Sequence, residues 1–135
     1  MKLHVLDTQT LVWLALDSPR LGPASRQLYE AGRGSGRVGV SALSFWEVAM
    51  LVARNRIELQ VPVKEWRREV LATGLVEVPV TGDVGIAAVS LDGFHADPAD
   101  RIITATALTH DAVLVSSDEK ILAWTGPLAR HDARL

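Results

Sequence analysis

A chain of 135 residues, 48% hydrophobic and 22% charged, has the length and composition of one folded domain over residues 1–135, and wholesale disorder is excluded. It has no cysteine, which rules out disulfides, thiolate-held zinc and a cysteine nucleophile. No apolar run approaches the ~20 residues of a membrane span and no basic-then-apolar leader opens the chain, so a cytoplasmic protein without membrane attachment is expected. The net charge of −2 argues against a uniformly basic nucleic-acid binder. Most of the 14 basic residues are nevertheless arginines, the side chain best shaped for phosphate. If four of the 16 acids hold metal, the rest of the chain is net positive by two.

Residues 2–6 (KLHVL) read as a short buried strand ending at Asp7, and residues 8–16 as a helix capped by Asp7 or Thr8. Asp17-Ser18-Pro19 stops that helix, and Gly22-Pro23 opens a second one through about Ala31. Gly32 to Gly36 is a loop, residues 37–41 (RVGVS) a strand, and Ala42 to about Arg54 a helix. Pro62 begins a helix to Thr73, with Gly74 in place to end it, and Val76 to Val80 is a strand. Thr81 can cap the next helix, and Asp92 to Ala96 is a loop. Asp97-Pro98 starts a helix to about His110, Ala112 to Ser116 is the last clear strand, and a short helix follows it. Strands alternating with helices predict an α/β fold, a mainly parallel central sheet flanked by helices, with its ligand site beyond the carboxyl ends of the strands.

Four acids fall in that region. Asp7 ends the first strand and, taken alone, reads first as a helix cap. Glu47 stands in the helix after the second strand; Ser44-Phe45-Trp46-Glu47 matches a capping box. A helix starting after Ser41 would instead leave it facing inward among Phe45, Trp46 and Met50, and a solvated helix face stays open as well. Asp97 and Asp100 share a helix N-terminus; Asp97 reads as the cap, which leaves Asp100 one turn in and turned toward the strand ends. Asp118 follows the last strand in Ser116-Ser117-Asp118-Glu119, where either serine could cap the helix and Glu119 could take over the role. Four carboxylates crowded together repel, so the cluster implies a hard divalent cation, Mg²⁺ or Mn²⁺. His95 and His110 read as structural loop and helix-end histidines.

The segments HVLDTQTLVWLAL, VSALSFWEVAMLVARNRIEL and DPADRIITATALTHDAVLVSSDEKI, with the spacing between them, resemble the PIN-domain ribonucleases, specifically the VapC-type toxins of toxin–antitoxin pairs. The resemblance spans nearly the whole chain and implies a PIN-like α/β/α sandwich. It matches Asp7, Glu47, Asp100 and Asp118 to the family's metal-binding acids, and Thr8 and Ser116 to polar positions that orient carboxylates or water. Ala99 departs from it, since relatives often carry phenylalanine there. The implied activity is endoribonucleolytic hydrolysis of RNA by metal-activated water, with a small antitoxin protein and a second copy of the chain as implied partners. Two other readings remain open: a PIN-like module that binds RNA or protein without cutting, and phosphoryl transfer onto Asp7. The second lacks its usual companions, with Gln9 where a phosphatase carries a second aspartate and Ser116-Ser117 where a receiver domain carries lysine.

Overall fold

Apart from His4, the strand segments HVL, VGVS and VLVS are apolar or small, the pattern of strands covered on both faces. In the computed structural model, which describes residues 2–135, they become β1 (His4–Leu6), β2 (Val38–Ser41) and β4 (Val113–Ser116). With β3 (Val76–Val78) and β5 (Ala129–Asp132) they form one sheet in the order β3-β2-β1-β4-β5, parallel at every pairing. The helices are α1 (Thr8–Ala15), α2 (Pro23–Gly32), α3 (Ala42–Ala53), α4 (Val63–Ala72), α5 (Gly82–Val89), α6 (Pro98–Thr109) and α7 (Glu119–Ala123). None of them is long and apolar enough to cross a membrane.

Because successive strand side chains point to opposite faces, the sheet divides the core. Leu6, Val40 and Val115 meet Leu11, Phe45 and Trp66 on one face, while Val5 and Leu114 meet Ile103, Ile121 and Trp124 on the other. Phe45 and Trp66 stack edge to face at 6.0 Å, which seats α4 on α3. Ser41 and Thr81 cap α3 and α5, Asp97 caps α6, and Pro98 fills the first turn of α6, where no N–H is needed. Gly74, just past α4, takes φ +109°; a Cβ there would sit 2.5 Å from the backbone nitrogen of Gly34.

Strands β1, β2 and β4 start one or two residues later than the sequence expectation, and two further elements differ from it. β3 stops at Val78 rather than Val80, because Pro79 has no N–H to continue the ladder. The fifth strand, Ala129–Asp132, was not expected, since ARHD carries no apolar alternation. It forms because β4 offers it a full ladder from Val113↔Ala129 to Ser116↔Asp132 and because Arg130 anchors it. The Arg130 guanidinium donates to the carbonyls of Ile121, Leu122, Trp124, Gly126 and Leu128, gathering the unpaired end of α7 and the following turn. An ammonium has three donors on a single point and cannot span that set. Arg130→Lys is expected to lower stability by about 2 kcal/mol, read as an earlier urea midpoint with an unchanged slope.

Candidate active site

The sheet grows from β1 to β2 to β3 in one direction, and the chain then returns to place β4 on the other side of β1. The carboxyl ends of β1 and β4 therefore flank the point where strand order reverses, the crevice in which open parallel sheets hold ligands. Asp7 leaves β1 there. Its Oδ1 accepts the Thr10 N–H at 2.9 Å as the cap of α1, and its Oδ2 accepts the Ser116 hydroxyl from the end of β4 at 2.5 Å. The same Ser116 oxygen accepts the Asp118 N–H at 3.0 Å, so one hydroxyl ties the two strand ends together. Asp7 is thus both a helix cap and a member of the acidic cluster.

Glu47 reaches the site from α3. That helix begins after Ser41, so Ser44 is not its cap. Of the two orientations the sequence left open for Glu47, the structure takes the inward one in part: the side chain is half-buried and lines a cavity, although its neighbour Trp46 faces solvent. Phe45 turns into the core, Trp46 is 54% exposed, and Glu47 points between them toward α1, where the Thr8 hydroxyl donates to its carboxylate. Ser44 Oγ lies 2.9 Å from the Thr8 oxygen and continues this chain. Asp100 sits one turn into α6 as expected, with Asp97 as the cap. Asp118 itself, not Ser116 or Ser117, caps α7: its Oδ1 accepts the N–H groups of Lys120 and Ile121. Glu119 pairs with Arg134 instead of joining the cluster.

Asp7, Glu47, Asp100 and Asp118 line one cavity of about 260 Å³ with Thr8. A larger cleft of about 730 Å³ lies between α2 and the starts of β1 and β4, away from these acids and lined by no carboxylate. Among the described residues, no lysine or arginine pairs with any of the four acids. Burial pushes the Asp7, Glu47 and Asp100 carboxyls above their ordinary range, against the pull of their hydroxyl and imidazole partners, and neighbouring carboxylates push them further. Ligand atoms of His95, Asp100 and Asp118 lie within 4.8 Å of one another. Two carboxylates at that separation repel by about 3 kcal/mol at an effective dielectric near 20.

His95 was set aside by sequence and is brought in by the structure. Its Nε2 meets Asp100 Oδ2 at 2.8 Å, its ring stacks on Phe94 at 4.4 Å, and its Nδ1 is buried with no partner. The only signal in the sequence was its place just ahead of the Asp97-Pro98 helix start. His110, which lies beside the Thr106 carbonyl at the end of α6, stays structural.

The sequence model of the PIN domain matches residues 4–124. The chain belongs to the PIN-domain family. Over 124 residues, 91% of this chain and 92% of the relative, it is 35% identical to Ribonuclease VapC22 of Mycobacterium tuberculosis, which places it among the VapC-type members. The fold is shared with VapBC2 from Rickettsia felis bound to a promoter DNA fragment (TM-score 0.71, 14% identity, 96% of this chain and 97% of that one). It is also shared with DNA-bound VapBC from Salmonella typhimurium (0.70, 15%, 98% of each chain) and a toxin–antitoxin complex from Klebsiella pneumoniae (0.64, 21%, 93% and 95%). The five-stranded parallel sheet between helices is the PIN-like α/β/α sandwich.

The buried PIN carboxylate Asp7 has a measurable consequence without any ion. A carboxyl whose folded value is raised keeps its proton where the unfolded one has lost it. The metal-free protein therefore loses stability as pH climbs from the ordinary carboxylate range through the folded value. Asp7→Asn removes this loss and keeps the cap to Thr10, since asparagine caps as well as aspartate. In EDTA, the melting temperature of the variant minus that of wild type is expected to rise from acid to neutral pH. A difference flat across that range in thermal melts would show that Asp7 bears no desolvation penalty.

Proposed function

We propose that this protein is a metal-dependent endoribonuclease, the toxin of a toxin–antitoxin pair, with Asp7, Glu47, Asp100 and Asp118 as its metal-holding catalytic acids. The observation that carries the proposal is the shared cavity of four carboxylates, partly or wholly withdrawn from water, with no lysine or arginine among the described residues to balance them. An all-oxygen donor set of this charge fits Mg²⁺ or Mn²⁺. When bound, the ion supplies an acidified water and stabilises the charge that develops on the phosphate oxygens. Family membership and the VapC22 likeness support RNA as the substrate.

The chain's own part is to hold the acids still. Ser116 fixes Asp7 across the β1–β4 junction, and Thr8, backed by Ser44, fixes Glu47. His95 fixes Asp100. A proton on its Nδ1 would be a buried donor without an acceptor, at a cost of about 1–3 kcal/mol. The neutral ring therefore carries its proton on Nε2 and donates it to Asp100 Oδ2, which holds the Asp100 carboxylate in place as one of the groups that would bind the ion.

Purified protein is expected to cleave single-stranded RNA with Mg²⁺ or Mn²⁺ and not in EDTA, to melt higher with Mn²⁺, and to lose orders of magnitude in cleavage rate on Asp7→Asn. His95→Phe, which keeps a ring on Phe94 but no donor, should weaken Mn²⁺ binding by about ten-fold, and His95→Gln, which keeps an N–H, by less. RNA cut at the wild-type rate by Asp7→Asn, or by wild type in EDTA, would overturn the assignment of the acids.

The partner belongs to the same proposal. Of the apolar residues on α3 and α4, Phe45 and Trp66 are core, Met50, Leu51, Val52 and Leu71 are half-buried, and Trp46 is exposed beside Glu47. An antitoxin segment laid over Trp46 could send an arginine or lysine into the uncompensated acids. Co-expression with the native partner should yield a complex of weak nuclease activity. Trp46→Ala should lose that partner by at least ten-fold, as truncated interface tryptophans do, while the free chain still cuts RNA. A complex that forms equally well with Trp46→Ala would move the interface elsewhere.

A further inference from the structure

The acids explain how a phosphate would be cut but not how RNA stays on the protein, because a cluster of carboxylates repels a phosphate backbone. No lysine or arginine lines the acidic cavity. A second cavity, of about 430 Å³, adjoins it and is lined by Gln9, Trp13, Arg20, Ser117 and Arg134. Gln9 and Trp13, one turn apart on α1, line both cavities, so the two lie side by side along that helix.

The walls of the second cavity combine one aromatic ring with polar and cationic side chains. Trp13 is half-buried, its inner side packed on the core around Leu11. The Arg20 guanidinium makes no hydrogen bond or ion pair among the described residues, beside a cavity whose neighbour is strongly acidic. Arg134 is held in place: its Nε and Nη2 donate to Asp132 and its Nη1 to Glu119. Asp132 and Glu119 together outweigh its charge by one, so Arg134 supplies fixed N–H donors rather than net attraction, and Arg20 is the cavity's unpaired cation among the described residues. Gln9 and Ser117 add an amide and a hydroxyl. One aromatic plane among polar donors suits a base and its phosphate; the apolar face of a peptide helix would find a single ring there.

Resting on the nuclease reading, we infer that the Gln9–Trp13–Arg20–Ser117–Arg134 cavity binds the nucleotide of a single-stranded RNA that flanks the scissile phosphate, its base on the Trp13 ring and its phosphate on Arg20. The site fixes where along the strand the acids act and offers a phosphate one unpaired guanidinium, which the acidic cavity lacks.

The test is binding of fluorescein-labelled single-stranded RNA of mixed sequence to the full chain in Ca²⁺, followed by anisotropy across a salt series, with intact RNA checked by gel. Arg20→Ala touches no core residue and should weaken binding while flattening the salt dependence by about 0.7 in log–log slope, the share of one single-strand phosphate. Trp13→Leu keeps apolar bulk over the core and removes the stacking face; it should weaken binding by about ten-fold. In a second probe, a defined-sequence RNA whose cleavage site has been mapped with wild type, an abasic position next to that site should weaken wild type similarly and cost Trp13→Leu nothing further, which a general loss of structure would not reproduce. Wild type that fails to bind RNA at all overturns the nuclease reading together with this one. Wild type that binds, with Arg20→Ala and Trp13→Leu matching it in affinity and salt slope, overturns the flanking site alone. So does a loss of antitoxin affinity in these variants with RNA affinity unchanged, which would give the cavity to the protein partner.

Discussion

The hydrogen bond from Ser116 to Asp7 joins the ends of two adjacent strands and holds a carboxylate almost completely out of water. Such a group is stable only if each oxygen has a donor and the charge has an eventual counterpart. The fold meets the first need twice over, with the first turn of α1 on one oxygen and the β4 hydroxyl on the other. The remaining acids are arranged around that fixed point, each reached from a different element: Glu47 from α3, Asp100 from α6 and Asp118 from the start of α7.

A site of this kind carries a built-in conflict. The donors that hold the carboxylates favour their charged forms, while burial and mutual repulsion disfavour them. Ion pairs with lysine or arginine would relieve the conflict, and the sequence has enough arginines to do so, yet they go elsewhere. Arg130 is spent on carbonyls behind α7, Arg101 on the carbonyls of Ala88, Phe94 and His95, Arg67 on Glu77 and Arg134 on Asp132 and Glu119. Unrelieved negative charge at the strand ends is what a divalent cation would neutralise, and it leaves the phosphate contacts to residues outside the acidic cavity.

Local chemistry made much of this legible. Asp97-Pro98, Gly22-Pro23 and Thr81 mark helix starts because a cap or a ring is needed there whatever the surroundings, and unbroken apolar segments mark strands covered on both sides. The same locality explains the misses. ARHD has nothing in its pattern to make a strand, and becomes one through the ladder that β4 offers and the carbonyls Arg130 can reach. His95 looked like any loop histidine, since its partner Asp100 is found only when the loop folds back over the start of α6. The orientation of Glu47 needed the angle at which α3 leaves β2, and Trp46, adjacent in sequence, points to solvent.

By itself, then, the sequence determined that Asp7 and Asp118 could be presented together, because in a parallel α/β chain the residues just after strands fall on one edge of the sheet, and it offered Glu47 and Asp100 from the early turns of helices. It also determined the alternation of elements, because burial on both faces and helix capping are local demands. Only the tertiary structure decided that Asp7 caps a helix and joins the cluster at once, that Asp118 rather than a serine caps α7, and that no arginine reaches the acids. Those are questions of distance between segments far apart in the chain, and distance is settled by how the sheet orders its strands and how the helices pack on it, which no single segment encodes.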